Sequence, residues 1–387
     1  MFYGPVFSNW HKSSMNFRMK KKYSLSFIGV VILLVLGVTG CYVNNQLGKL
    51  DGGDERQERY ARYSYYSAGK DEFVSPKEIV SHPDQTTGGN PGFARFFKKS
   101  PNAPESKLPK QVLTKKDFPE VPSSYAAYWL GHSTAIIELD GYRILIDPVF
   151  GNAGPLPVIA RRMSVSPLKR EELPPIDVVI ITHDHYDHLE TETIQYLADK
   201  NIQFIVPLAV GARLAGWGVA RNKITELSWH QTISHGSLKI TAAPTVHYSG
   251  RSYNDRNKTL WASYVIKGKE KNLYWSGDTG YGEHFKEIGN RYGPFDLAFM
   301  EIDAWNKGWP NTHLFPDQVI KATRDIGAKL LFPIHYATFD LALHPWDESI
   351  KMVTDLASQH NIGIVTPSMG QKVVPGKTPT PSWWIPQ

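Results

Sequence analysis

Residues 183–188 read His-Asp-His-Tyr-Asp-His, three imidazoles and two carboxylates in six positions. Imidazole nitrogens and carboxylate oxygens together suit zinc or a similar first-row divalent ion. Four of them, His183, His185, Asp187 and His188, stand too close in sequence to close around a single ion comfortably. Splayed from a tight turn, they serve two neighbouring ions more naturally. Two ions need more ligands than one turn supplies, so the chain must bring further His or Asp residues to the same place. A lone polar turn of this composition is also compatible with a solvated loop, and the decision rests on what precedes and follows it.

The lead-in "IDVVIITH" is a short, continuous apolar run of the kind expected for a strand buried on both faces, which puts the turn at a strand end. After it, "LETETIQYLADK" has helical spacing. Three later strand candidates each finish on a ligand-type residue: "SLKITAAPTVHY" on His247, "NLYWSGD" on Asp278 and "KLLFPIHY" on His335. Singly, a strand-end histidine is more often a hydrogen-bonded structural group than a ligand. Three such ends together point to a site at one edge of a sheet structure. Elsewhere, "AAYWLGHSTAIIELDGYRILIDPVF" holds two apolar-rich runs joined at Asp140-Gly141, a hairpin signal. "IQFIVPL", "ITELSW" and "LWASYVIK" read as strands, "FPDQVIKATRDIGA" and "WDESIKMVTDLASQHN" as helices, and "IGIVTPS" as the closing strand. Hairpins come first and helices interleave afterwards, twice over. This predicts an α/β protein with two sheets face to face and helices outside.

The motif H-x-H-x-D-H followed by a distant His, Asp and His resembles the signature of the metallo-β-lactamase superfamily, which implies the αββα four-layer sandwich. "WLGHST", "IDPVF", "THDHYDHL", "HYSGRSYNDRNKTLWASYVI", "SGDTGY", "IDAW" and "PIHYATFDLA" are similar to the branch of N-acylphosphatidylethanolamine-hydrolysing phospholipase D and its bacterial relatives, over about Tyr125 to Pro367. Carried over position by position, the resemblance implies that His183, His185 and His247 hold one ion and that Asp187, His188 and His335 hold a second. Asp278 bridges them. The cofactor implied is two divalent ions, zinc by preference, and Asp187 and Asp278 share in catalysis as well as ligation. Asp147 in "IDPVF" matches an aspartate that orients a ligand histidine. His313 matches a histidine that precedes a helix, with a substrate-phosphate contact as its implied role. His132 stands at a similar strand end, either as a structural histidine bonded to backbone or as a partner of the site.

Two ions sharing a water lower its pKa towards neutrality and make hydroxide the nucleophile. That chemistry fixes hydrolysis and leaves the bond open. The resemblance tips the choice to a phosphodiester, with an N-acylated phosphatidylethanolamine or related phospholipid as substrate. A lactonase or a small-molecule phosphodiesterase of the same fold is the alternative, and a non-catalytic metal-binding lipoprotein a further one, although degenerate members should lose ligands and this chain keeps all seven. Arg251 and Arg256 are candidates for phosphate, Trp305 and Trp309 for an acyl chain, with a plain surface loop and interfacial packing as the alternative reading for each. A serine hydrolase is excluded: "GHSTA" (residues 131–135) comes near a nucleophile elbow, but a hairpin and not a helix follows Ser133.

The chain has 387 residues, with 43 Lys and Arg against 37 Asp and Glu. Five of the basic residues, Lys12, Arg18, Lys20, Lys21 and Lys22, lie in positions 1–40, where no acidic residue occurs. Without them the rest carries 38 basic and 37 acidic side chains, a formal charge of +1, which argues against nucleic acid as partner. "RMKKK" followed by 18 uncharged residues reads as an export signal, with an uncleaved membrane anchor as the alternative. It ends at "VTGC", whose Cys41 is the only cysteine of the chain. This resembles a bacterial lipobox and implies lipidation at Cys41 and a place in the cell envelope facing away from the cytoplasm, on the outer membrane in a Gram-negative cell. The expected organisation is a signal over 1–40, a proline-rich tether and arm over 41–122 in which "GFARFF" (residues 92–97) is the docking point, the hydrolase domain over 123–376, and a tail over 377–387.

Overall fold

The computed structural model describes Met1, Leu33 and residues 35–79, 100–342 and 344–385. The chain forms two compact units, Met1–Gln46 and Leu47–Gln387. In the first, a helix (α1, residues 35–47) includes Cys41, which is exposed. Among the described residues no helix is long and apolar enough to cross a membrane. Most of the expected signal, and "GFARFF", lie outside the described residues.

The second unit opens with helix α2 (Gly53–Tyr60) and a small hairpin, β1 (Tyr66–Ser67) with β2 (Glu72–Phe73). The proline-rich composition of 41–122 reads as an arm with little core of its own, but this part of it is docked. Tyr60, Tyr66 and Phe73 are buried in the main core, and Arg59 pairs with Glu226 while Lys258 pairs with Asp71 at 3.1 Å. Burying an aromatic ring of this size is worth roughly 1.5–3 kcal/mol, enough to override the absence of a local apolar run. The tail is docked likewise: Trp383 and Trp384 are buried, with Trp383 against Trp129 and Tyr336.

Among the described residues of the body, two seven-stranded sheets repeat one plan. The first contains β3 (Tyr125–Gly131), β4 (Thr134–Leu139), β5 (Tyr142–Ile146), β6 (Val178–Ile180), β7 (Gln203–Pro207) and β8 (Ile224–Leu227), with β16 (Lys372–Val373) beside β3. The second runs from β9 (Thr232–His235) through β10 (Leu238–Ala243), β11 (Ser263–Lys267), β12 (Asn272–Trp275), β13 (Leu297–Glu301) and β14 (Leu330–Ile334) to β15 (Gly363–Ile364). In each, three or four antiparallel strands come first and parallel strands follow. Asp140 and Gly141, with φ of 53° and 84°, make the two-residue turn between β4 and β5 that their identities predict.

Strand periodicity sorts the first sheet's side chains between layers. Trp129, Ile137, Ile144, Ile146, Val178, Ile180 and Ile205 face the second sheet; Tyr128, Ile136, Leu145, Val179, Phe204 and Val206 face outward. The outer set is covered by α3 (Thr191–Leu197) and α4 (Gly211–Gly216) through Ile194, Leu197 and Leu214. On the second sheet lie α5 (His284–Tyr292), α6 (Pro316–Asp325) and α7 (Glu348–Gln359). Helix α6 starts with Pro316 in its first turn and stops before Gly327, at φ 69°. The α/β sandwich with helices on both outer faces is therefore present. The pattern does not mark α2, β1, β2, the break between β3 and β4, the short or strongly apolar α4, β9, β13 and β16, or α5, whose nine residues (HFKEIGNRY) carry few apolar positions.

The plan has one consequence for chemistry. β3 and β5 point the same way as the parallel strands of the first sheet, and β10 the same way as β12, β13 and β14 in the second. The loops after all these strands leave from one edge of their sheet, where loops collect ligands in sheets of this kind.

Candidate metal centre

The seven candidate ligands, and His132 and Asp147 with them, each follow one of those strand ends. His132 follows β3, Asp147 follows β5, His183 to His188 follow β6, His247 follows β10, Asp278 follows β12 and His335 follows β14. The backbone of His132, Asp147 and His335 turns into the left-handed region, at φ of 51°, 42° and 68°. Such conformations cost on the order of 1–3 kcal/mol each in residues with a side chain, and persist where surrounding structure holds them. The amide of His335, for example, donates to the carbonyl of His132 at 2.9 Å.

The side chains converge in two sets whose ligand atoms lie within 4.8 Å of one another: His183, His185, His247 and Asp278, and His132, Asp187, His188 and His335. Asp278 reaches both. Its Oδ2 is 3.8 Å from His183 Nε2, 3.6 Å from His247 Nε2 and 3.2 Å from His335 Nε2, and its Oδ1 is 3.1 Å from His188 Nε2. Asp187 Oδ2 stands 3.5 Å from His188 Nε2 and 3.6 Å from His335 Nε2.

The outer nitrogens of three of these rings are occupied. His188 Nδ1 meets Asp147 Oδ2 at 2.9 Å, and Asp147 in turn accepts from the amide and hydroxyl of Thr182. His183 Nδ1 meets Thr182 Oγ1 at 3.0 Å, and His247 Nδ1 donates to the carbonyl of Thr312 at 3.1 Å. These partners fix the rings and leave Nε2 for the centre. His132 Nε2 lies 3.0 Å from Asp187 Oδ2, so this histidine steers a candidate ligand.

The centre is short of positive charge. Burial opposes protonation of His335, yet Asp278 and Asp187 overcome it and push its pKa up to about 10. His188 is likewise raised, by Asp278, Asp187 and Asp147 against the cost of burial. His132, which burial dominates, is pushed down to about 3. Inward-facing His188 Nε2, 3.1 Å from Asp278 Oδ1, and His335 Nε2, 3.2 Å from Asp278 Oδ2, are buried, yet none of His188 Nε2, His335 Nε2 and Asp278 Oδ1 has an aligned hydrogen bond. Buried polar atoms rarely stay unpaired, and buried carboxylates call for a compensating charge. The donor set of imidazoles and carboxylates is the one a divalent first-row ion takes, so the residues fit such a group.

Several residues at this edge carry no distinct sequence signal. Glu301, the last residue of β13, is fully buried; its Oε2 accepts from His313 Nδ1 at 2.8 Å. The rule that found Asp278, a carboxylate ending an apolar run, applies equally to "LAFME". Asp184 and Tyr186, which stand between the ligands, join neither candidate ligand set and have structural contacts instead. Asp184 is buried and accepts from Arg213 Nε of α4 and from the amide of Gly250, both at 2.8 Å. Arg213 also binds Asp255 at 2.8 Å. Tyr186 lies under the guanidinium of Arg251, 3.9 Å away. Arg251 takes the packing role: it is buried and donates to the carbonyls of Asp184 and Leu189, bracing the ligand turn from behind instead of facing substrate.

A cleft of about 390 Å³ opens over the centre. His185, Asp187, His247, Asp278 and His313 contribute to it, together with Tyr248, Arg256, Trp309, Ile79 and Leu341. Arg256 is exposed, its guanidinium 4.4 Å from the centroid of the Tyr248 ring. Trp305 is elsewhere, stacked on His344 and donating to Ser349.

Comparison with known proteins agrees with this construction. A family described as "Beta-lactamase superfamily domain" matches residues 142–336. The chain is 30% identical over 336 residues to N-acyl-phosphatidylethanolamine-hydrolyzing phospholipase D 1 of Caenorhabditis elegans, covering 78% of this chain and 94% of that one. It is 40% identical over 269 residues to an uncharacterized protein of Mycobacterium tuberculosis, covering 68% and 72%. Among solved structures, the metallo hydrolase Igni18 of Ignicoccus hospitalis shares the fold, with a TM-score of 0.52, 22% identity, and coverage of 64% of this chain and 97% of that one. The class defined by fold and site is that of the metal-dependent hydrolases. Within it, this chain belongs to the metallo-β-lactamase superfamily, in the branch of the N-acylphosphatidylethanolamine-hydrolysing phospholipases D.

Proposed function

We propose that the protein is a dinuclear, zinc-dependent phosphodiesterase of the phospholipase D type, acting on N-acylated phosphatidylethanolamine or a related phospholipid. The observation that carries the reading is Asp278, one carboxylate shared between two sets of imidazoles beneath an open cleft. His183, His185 and His247 would hold one ion, Asp187, His188 and His335 the other, with Asp278 common to both. Bound there, the pair would supply Lewis acidity towards a phosphoryl oxygen and a water nucleophile active near neutral pH.

The chain's own residues do the rest. Asp147, Thr182 and the Thr312 carbonyl hold three of the imidazoles in place. Arg256 offers a positive charge at the cleft that suits an anionic phosphodiester in its ground state, where a lactone is neutral. Trp309, Ile79 and Leu341 give the same cleft an apolar wall suited to an acyl chain. Hydrolysis on the head-group side of phosphorus gives a phosphatidic acid and the N-acylated amino alcohol. Lipidation at the exposed Cys41 would keep the enzyme at the surface that contains its substrate, in the cell envelope; mass spectrometry of the mature N-terminus from cell membranes tests this, and an unmodified Cys41 within a longer chain would refute it.

The function is tested by incubating the purified protein, loaded with zinc, with N-acylated phosphatidylethanolamine, phosphatidylcholine, bis-(p-nitrophenyl) phosphate and a lactone. Release of phosphatidic acid from the first is expected. Turnover of the lactone alone would sink the phospholipase reading, and absence of bound metal would sink the enzyme.

A further inference from the structure

Glu301 is a buried carboxylate at the C-terminal end of β13, with donors aimed at both of its oxygens. Oε1 accepts from two backbone amides, Thr279 N and Leu314 N, each at 3.1 Å. These belong to the residues immediately after Asp278 and His313, so one carboxylate ties the turn that carries Asp278 to the loop that carries His313. Oε2 accepts from the ring of His313 through Nδ1 at 2.8 Å. The next imidazole, His335 Nδ1, is 4.0 Å from the same oxygen, outside hydrogen-bond reach. Asp278, Glu301, His313 and His335 are close enough together to hold an ion. Against that use, the oxygens of Glu301 are already committed to three donors.

We propose that Glu301 is a positioning residue that holds His313 in one tautomer and one orientation, with Nδ1 protonated towards the strand and Nε2 presented to the cleft. A carboxylate can only accept, so the Nδ1 proton is fixed by its partner, and the nitrogen left over is the one that meets whatever lies in the cleft His313 lines. Wrong-tautomer variants show how much such a partner can matter: in a serine protease triad, an Asp→Asn change that leaves the geometry intact lowers kcat by roughly 10⁴-fold. What meets Nε2, a phosphoryl or leaving-group oxygen, rests on the phosphodiesterase reading. The orientation of the ring does not.

The distinguishing variant is Glu301→Gln. Its amide oxygen can keep both backbone amides, which turns its NH₂ to His313 and forces Nδ1 to accept. Long-range ¹H–¹⁵N spectra of the full chain labelled with [¹⁵N]histidine, with the His313 signals assigned by loss in His313→Gln, should show an Nδ1-protonated ring in the unsubstituted protein and an Nε2-protonated ring in Glu301→Gln. On bis-(p-nitrophenyl) phosphate, kcat should fall by about 10²-fold with much less change in KM, and Glu301→Asp, which still accepts from Nδ1, should recover part of it. An unchanged tautomer in Glu301→Gln, or a swapped tautomer with kcat intact, would overturn the proposal. If Glu301→Gln does not fold, His313→Gln and His313→Asn decide: Gln places its amide nitrogen near the position of Nε2 and should retain more activity than Asn, and the reverse order overturns the proposal. A tautomer swap in a protein that hydrolyses no phosphodiester would support the role of Glu301 and refute the phosphodiesterase reading instead.

Discussion

The two halves of the sandwich repeat one architecture but contribute to the centre in opposite ways. The first sheet delivers four candidate ligands from a single six-residue turn after β6, braced from behind by Arg213, Arg251 and Asp255. The second sheet delivers three, His247, Asp278 and His335, each alone at the end of a different strand, with Glu301 beside them at the end of a fourth. A dense turn concentrates chemistry where it can be seen in sequence, and depends on a buried polar bracket to hold its shape. Dispersed ligands depend less on such a bracket, because the strands fix most of the spacing and Glu301 adds one tie between the Asp278 turn and the His313 loop. Their weakness is the one group on which everything converges, Asp278.

That contrast orders the expected effects. Asp278→Asn should cost most, because it removes charge from both sets at once: zinc content by mass spectrometry under native conditions should fall for both ions, and kcat/KM by ~10³-fold or more. Retention of two ions per chain would contradict the sharing of Asp278 between the sets. His185→Ala, a loss confined to one set, should leave about one ion per chain and a smaller loss of activity, and Asp147→Asn smaller still, about 10–100-fold in metal affinity or rate. Asp184→Ala breaks the bracket and no candidate ligand. It leaves Arg213 buried with one carboxylate in place of two, and should lower stability to urea by roughly 3–5 kcal/mol. An equal loss from His247→Ala in the metal-free protein would mean that the two halves do not differ in this respect.

Legibility followed the same division. The turn at His183 is visible because four ligand-type residues stand within six positions, and its apolar lead-in gives the strand end. Asp278 and His335 were visible as polar residues ending apolar runs. Glu301 obeys that rule too, but "DLAFMEIDAW" shows no turn residue to mark the strand end, so neither Glu301 nor β13 is legible there. Arg213 and Asp184 had no signal at all: a buried ion pair is decided by which loops meet, and the two residues lie 29 positions apart. The arm at Tyr60 to Phe73 and the tail at Trp383 carry too few apolar residues to form cores of their own, and their burial depends on a surface already built by the sheets.

The sequence by itself determined the kind of chemistry and most of its atoms, because ligand types are set by residue identity and strand ends by local apolar periodicity. Tertiary structure decided how those atoms are held. It set which imidazole nitrogen faces inward, that Arg251 braces the turn while Arg256 faces the cleft, and that Asp278 stands between the two sets. Those outcomes depend on distances of 3–4 Å between residues up to 150 positions apart, such as His335 and Asp187 at 3.6 Å, and only the packing of one sheet on the other brings such pairs together.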